Sequence, residues 1–445
     1  MTQSAPIENA SALYRRHVER LVSATTESLS EAGYDRLLLH SGRPRLRFQD
    51  DHAPAFRAHP HFVHWVPLPR HADGMLEFSP GARPRLWMVV PEDFWHAPPA
   101  PAADWWADQL DIEIVADREG WAHRLGQGGA TALIAEPDDF PELGGDADVN
   151  PAGLLARLDE ARTVKSDYEI ACLREANRRA VAGHRAAERA FRDGESELGI
   201  HAAYAAASGQ DPDVLPYGSI VALNEHCAIL HYQYRSPRRP EAARSFLIDA
   251  GADCLGYAAD ITRTHSRDDG EFAELVEAVD ALQQRIVERT VQDRAFVDLH
   301  LETHRGIADI LRSSGICSLE VDAMLEAGVT SRFFPHGLGH FLGVQVHDVA
   351  GQRDRSGTAL PPPADHPFLR LTRDLEAGNV VTVEPGLYFI PQLLDPLRES
   401  QLRRAIDWDR VDALAPYGGI RVEDDVLVGR ESAVNLTREA FAEAG

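Results

Sequence analysis

The chain is poor in positive charge. Its 45 Lys and Arg residues face 70 Asp and Glu, giving a formal net charge of −25. That balance argues against nucleic acid and anionic membrane surfaces as partners, because both demand a basic patch. Lysine is almost missing. Lys165 is the only one, a compositional bias without mechanistic content. Cysteine is scarce too. Cys172, Cys227, Cys254 and Cys317 form no C-x-x-C pair and no dense framework. Free, packed thiols in a reducing cytosol fit that pattern, and the expected location is cytoplasmic. Long apolar runs are absent. The first residues, MTQSAPIENASALYRRHVERL, hold no apolar core of a signal peptide and read as the approach to an amphipathic helix. Neither a signal peptide nor a membrane span is expected. No short-period repeat or low-complexity tract occurs.

What is present suits a globular protein. Hydrophobic residues make up 44% and charged residues 26% of 445, a length that implies two domains. The first third alternates helix and strand. YDRLLLHSG, RPRLWMVVPEDFW and ATALIAEP read as strands, and ALYRRHVERLVSATTESLSEAG reads as a helix. A small N-terminal α/β domain over residues 1–160 follows, with PELGGDADVNPAG as its linker. Residues 161–445 form the second domain. It opens on a helix in SDYEIACLREANRRAVAGHRAAERAFRDG, where Ser166 and Glu169 have capping-box spacing. Leu173, Ala176, Ala180, Val181, His184, Ala187 and Phe191 form its core stripe. EFAELVEAVDALQQRIVERTVQ is a second helix. GVQVHD, NVVTVEP and GGIRVEDDVLV read as strands, and the prolines of SGTALPPPADHPF make a loop.

Candidate metal ligands interrupt the apolar segments. Asp249 ends SFLIDAG and Asp260 lies in GYAADITRT. A hairpin turning at Cys254–Leu255 sets them directly opposite, with Cβ atoms about 4.5–5.5 Å apart. HGLGH holds His336 and His340 at a spacing of four, but its glycines disfavour helix and no Glu follows the first His, so it is not the zinc motif H-E-x-x-H. One of the two binds metal and the other lines the site. Glu384 ends an apolar strand, and a buried carboxylate there needs a partner. Arg421, Glu423 and Asp425 share one strand face, so Arg421 reaches the pocket of Glu423. Taken singly, Asp249 also reads as a turn and the glutamates as surface ion pairs. Four carboxylates and one imidazole form a hard donor set, which points to a two-metal hydrolytic site.

These motifs together resemble the proline-specific metallopeptidases of the creatinase-like, or pita-bread, family. Within it they are most similar to bacterial Xaa-Pro dipeptidases and organophosphorus acid anhydrolases. The likeness extends over LHSGRPRLRFQDD, PEDFWH and SIVALNEHCAILHY as well as the ligand motifs. It implies an α/β chain whose C-terminal domain has the pita-bread fold, and a homodimer whose N-terminal domain closes the partner's pocket. It assigns Asp249, Asp260, His340, Glu384 and Glu423 to two divalent ions, Mn(II) by family habit, although intrinsic affinity favours zinc. It gives Glu384 the proton transfer, in the attack of a metal-bridging hydroxide. His231, His336 and His347 become groups that contact substrate or handle protons. Tyr217 and Arg421 line the pocket, and Arg370 holds a dipeptide's carboxylate. Asp51 and Trp95 reach across the dimer, Asp51 near the substrate amine. The expected reaction is cleavage of Xaa-Pro dipeptides, with phosphotriesters as a side substrate. The alternatives are an aminopeptidase P-like enzyme acting on longer peptides and a peptide-binding module without catalysis.

Overall fold

Apolar residues spaced by three and four produce a helix from Ala10 to Ala32. It buries Tyr14, His17, Val18, Leu21, Thr25, Ser28 and Leu29. Gly33, at φ 78°, ends it, and the Tyr34 N–H donates to the Leu29 carbonyl at 2.9 Å. The computed structural model describes residues 5–94, 105–122, 129–139 and 147–444. They fall into two units, one of residues 1–175 with 254–257, the other of 176–253 with 258–445.

The first unit carries a mixed six-stranded sheet in the order Asp111–Val115, Arg85–Val89, Met75–Phe78, Arg36–His40, Thr131–Ile134, Asp148–Val149. Arg36–His40 is flanked on both sides, and Leu37, Leu38 and Leu39 are buried, which explains its unbroken apolar run. The segment expected as a linker ends differently. Asp148–Val149 pairs in parallel with Ala132–Leu133 and completes the sheet. The Asn150 amide then exchanges two hydrogen bonds with the Ala135 main chain, at 3.1 and 3.0 Å. A side-chain amide that mimics backbone lets a Gly/Asp-rich stretch close a sheet edge.

Ser166 and Glu169 form the reciprocal capping box. The Ser166 N–H donates to Glu169 Oε2 at 2.8 Å and the Glu169 N–H to Ser166 Oγ at 3.4 Å. Just before it, Lys165 is buried and its ammonium donates to the Arg162 carbonyl. The helix runs from Asp167 to Arg192. Its stripe is buried as expected, and His184 is a core histidine bonded to the Ala250 carbonyl at 2.9 Å.

The second unit builds an antiparallel sheet from Ile220–Leu223, Ser245–Asp249 and Thr262–Ser266. Another joins Val380–Val383, Asp424–Leu427 and Val434–Asn435, and a two-stranded ribbon joins Gly386–Tyr388 to Gly419–Arg421. Helices Glu271–Glu288 and Phe296–Ser313 contribute Val279, Leu282, Leu299 and Leu311 to a core shared with Val381, Val383, Leu387 and Val422.

Three local readings change. Asp249 opposes Thr262, not Asp260. The turn falls at Leu255–Gly256, both at positive φ (55° and 93°), as a two-residue hairpin loop requires. Glycine at its second position fixes the turn one residue later than the midpoint between the aspartates. Asp260 therefore sits diagonally from Asp249 and just before its strand. GVQVHD is a loop, not a strand. The Gly343 N–H turns back to the Gln345 carbonyl, and the Asp348 N–H reaches the Phe341 carbonyl, using groups that a ladder would need. GGIRVEDDVLV is two strands in different sheets, with Val422 and Glu423 at the break.

Close backbone approach tests this geometry. A Cβ on Gly251 would lie 1.9 Å from the Ala259 carbonyl oxygen. Gly251→Ala is expected to cost about 1–3 kcal/mol, the usual penalty of overpacking. Chemical denaturation measures it, and an unchanged midpoint would contradict the contact.

Candidate metal centre

The proposed ligands stand where strands end, because there a side chain can leave the sheet for a common point. Asp249 closes its strand, Asp260 precedes one, Glu384 follows Val380–Val383, and Glu423 fills the break between two. His340 comes from the extended HGLGH segment. Its N–H donates to Thr382 Oγ1 at 3.1 Å. Gly339 permits that approach, since a Cβ there would lie 2.1 Å from the Thr382 carbonyl oxygen.

Asp260, His340 and Glu423 are buried, and each offers one donor atom within 4.8 Å of the others. His340 Nε2 lies 3.5 Å from Asp260 Oδ2 and 3.8 Å from Glu384 Oε1. Its Nδ1 is 2.9 Å from the Phe341 carbonyl, which can only accept. A proton therefore sits on Nδ1, which leaves Nε2, aimed at the carboxylates, as the atom that would bind a cation. Asp249 Oδ2 pairs with Arg421 Nη2 at 2.7 Å. Asp249 Oδ1 is buried without a hydrogen-bond partner. An orphaned carboxylate oxygen beside three more buried acids fits a cation. All five residues named from the sequence thus meet in this cluster.

The electrostatics agree. Burial pushes Glu384 up to about 7; His340 and Arg421 oppose the rise, and Asp260 and Asp249 add to it. Burial, then Asp260, Glu384 and Asp249, hold Glu423 well above the usual carboxylate range. Burial also raises Asp249 despite Arg421. For Asp260 burial acts upward, but the His340 contact outweighs it and the net shift is down. Negative charge so crowded must be neutralised by protons or by cations.

Supporting groups went unnoticed in the sequence. Arg421 reads there as pocket lining, yet its guanidinium is engaged inside the cluster. It donates to Asp249, to Tyr388 Oη at 2.9 Å and to Thr262 Oγ1 at 3.2 Å. Thr262 Oγ1 donates in turn to Glu423 Oε2 at 2.6 Å. Asp425 receives the Asp260 N–H at 3.2 Å and the Asn177 amide at 2.8 Å, and so fixes the main chain at Asp260. Thr262 emerges only from the true register of the hairpin, and Tyr388 only from the ribbon that pairs Gly386–Tyr388 with Gly419–Arg421.

The remaining candidates lie around this cluster or elsewhere. His336 Nε2 is 2.9 Å from Tyr388 Oη, and its Nδ1 is 3.6 Å from Glu384 Oε2. Burial and then Arg421 lower His336 to about 3. The His347 ring meets the His340 ring edge-on, centroids 4.4 Å apart, and burial followed by His340 lowers His347 to about 4. Tyr217 is buried beside Asp249 and Asp260, and burial followed by their charges holds its phenol well above the usual range. His231 and Arg370 are exposed, and the charges of both act on His347. Asp51 is exposed in the first unit, and Trp95 lies outside the described residues.

Comparison with known proteins matches this arrangement to a class. The fold is that of solved aminopeptidase P structures. Pseudomonas aeruginosa aminopeptidase PepP aligns at TM-score 0.72 and 21% identity, over 98% of each chain. Aminopeptidase P from E. coli with the inhibitor Pro-Leu aligns at 0.73 and 20%, over 99% of this chain and 98% of that one. The second domain is thus a pita-bread domain. The model of metallopeptidase family M24 matches residues 171–430, and that of the Xaa-Pro dipeptidase N-terminal domain matches 12–159. The chain belongs to metallopeptidase family M24. An Xaa-Pro dipeptidase of Xanthomonas axonopodis pv. citri (strain 306) is 45% identical over 99% of this chain and 100% of its own length. One from Stenotrophomonas maltophilia (strain R551-3) is 43% identical over 98% and 99%.

Asp260→Asn keeps the size of the side chain and removes its charge. Equilibrium dialysis should show divalent-ion affinity falling at least about tenfold, with circular dichroism unchanged. Undiminished affinity would remove Asp260 from the ligand set.

Proposed function

We propose that this protein hydrolyses Xaa-Pro dipeptides at a centre of two divalent ions, Mn(II), held by Asp249, Asp260, His340, Glu384 and Glu423. The observation that carries the reading is the convergence of buried acids on His340 Nε2, with Asp249 Oδ1 left unpartnered. The printed names of the full-length relatives support the substrate class. An all-oxygen set with one imidazole suits manganese. Bound ions would acidify a water and polarise the scissile carbonyl.

The chain's own groups do the rest. The Glu384 carboxylate accepts the water's proton and delivers it to the leaving proline nitrogen. An amide nitrogen must gain a proton before it departs, and here it leaves as the secondary amine of proline. His336, lowered by burial, and the exposed His347 and His231 donate or accept hydrogen bonds around the carbonyl. Tyr217, beside Asp249 and Asp260, presents its hydroxyl to substrate. Arg421 braces Asp249 and lines the pocket floor. Arg370 pairs with the dipeptide's carboxylate, bidentately where geometry allows. A longer peptide places an amide there and leaves the guanidinium unpaired, which sets the length preference.

In this reading residues 1–160 serve dimerisation and pocket closure and 161–445 serve catalysis. The working form is a homodimer in the cytoplasm, with Asp51 and Trp95 reaching a second copy's pocket. A water activated this way also attacks phosphorus, so organophosphate triesters are side substrates. No described helix is long and apolar enough to cross a membrane.

Chelation should abolish cleavage of an Xaa-Pro dipeptide, and Mn(II) should restore it. Full activity of thoroughly demetallated protein contradicts the proposal. A parallel assay of a longer Xaa-Pro peptide separates dipeptidase from aminopeptidase action. Arg370→Ala should raise KM for dipeptides about tenfold or more while kcat stays within about threefold, because a charge-assisted bond worth about 1.5–3 kcal/mol is lost from ground and transition states alike. An unchanged KM would remove the clamp.

A further inference from the structure

A second group of donors, made of residues other than the acidic five, neighbours His336. His300 and His304 occupy successive turns of the Phe296–Ser313 helix, at the spacing that puts two side chains on one face. His366 comes from the proline-rich loop that leads to Arg370. One nitrogen from each ring lies within 4.8 Å of the other two. The ring centroids are 4.7 Å apart for His300 and His304, and 4.5 Å for each with His366.

Three nitrogens of the two buried helix histidines are orphaned. His300 is 1% exposed, and neither of its ring nitrogens has a hydrogen-bond partner. His304 is 2% exposed; its Nδ1 is 3.0 Å from Thr330 Oγ1, but its Nε2 has no partner. Leaving buried imidazole nitrogens unpaired costs about 1–3 kcal/mol each. A third cluster shows that such a grouping need not be orphaned. In His17, His64 and Glu169, His17 bonds to Ser166 Oγ and to the His64 carbonyl, and His64 Nε2 meets Glu169 at 3.3 Å. Those rings are consumed by the capping box and its surroundings. His300 and the Nε2 of His304 are not.

We propose that His300, His304 and His366 form a separate site for one borderline divalent cation of the zinc or cobalt class. Three imidazoles with no carboxylate among them are the donors that zinc, cobalt and copper prefer, whereas manganese favours oxygen. Tetrahedral zinc with Zn–N bonds of about 2.0–2.1 Å holds its ligand nitrogens about 3.3 Å apart, a modest contraction of this cluster through side-chain rotation. The Thr330 contact selects the required tautomer when His304 Nδ1–H donates to it, which leaves the Nε2 lone pair for the ion. The cation also ties the Arg370-bearing loop to a core helix. The site does not depend on the dipeptidase reading, since its donors are separate from the acidic five.

The test counts metal in the full chain. Wild type, His366→Ala and His304→Gln are dialysed against zinc in excess Mn(II), and bound zinc is measured by plasma mass spectrometry. Exchange at the acidic centre occurs equally in all three, so the difference isolates the histidines. Wild type should retain one more zinc per chain than either variant, and its zinc absorption spectrum should show scattering from several imidazoles. Equal zinc in wild type and His366→Ala overturns the proposal. His366 is only partly buried, so that variant decides the matter if His304→Gln fails to fold. Under Mn(II) alone all folded forms should bind the same amount, and a variant-specific loss of manganese overturns the assignment to a nitrogen-preferring ion. Xaa-Pro dipeptide cleavage, read in parallel, reports on the acidic centre without altering the zinc count.

Discussion

Negative charge gathered with little access to solvent governs the second unit. Asp260, Glu384 and Glu423 lie within reach of one imidazole, and a guanidinium beside them is shared by Asp249, Tyr388 and Thr262. Ionised carboxylates so placed repel one another in a medium that screens poorly. Without cations the cluster must retain protons, as the raised Glu384 and Glu423 indicate. Divalent ions remove the conflict, so the polypeptide is arranged around charges that it does not itself supply.

Holding such groups in place requires a polar frame as well as a sheet. Thr262 bridges Arg421 and Glu423, Thr382 receives the His340 main chain, and Asp425 receives that of Asp260. These contacts orient the acids through backbone and hydroxyl, which leaves carboxylate oxygens open toward the centre. Asp424, next in sequence to Asp425, faces the other way. It is ion-paired to Arg263 and Arg438, whose charges outweigh burial and lower it to about 2. Adjacent aspartates on opposite strand faces thus meet opposite electrostatic surroundings.

Much of this was legible in the chain because carboxylates break apolar runs in LIDAG, VTVEP and IRVEDD, where hydrophobic patterning alone would place none. The helices were legible from apolar periodicity and from the Ser166–Glu169 cap. The register of the Asp249 hairpin was not, since it hangs on the left-handed pair Leu255–Gly256, and moving that turn by one residue moves the pairing by two. The loop at GVQVHD was hidden by an alternation that mimics a strand. Tyr388 and the engagement of Arg421 depend on a ribbon between distant segments. His300 and His304 lie on an amphipathic helix among apolar residues, which gives them no signal in the sequence, and their companion His366 lies far along the chain.

The burial of Lys165 against the Arg162 carbonyl leaves the exterior cationic through guanidinium groups alone. Ordinary ammonium side chains discharge near pH 10, whereas guanidinium does not. The pattern of surface ion pairs therefore persists into alkaline solution. Reagents that acylate side-chain amines meet no accessible target on the folded protein.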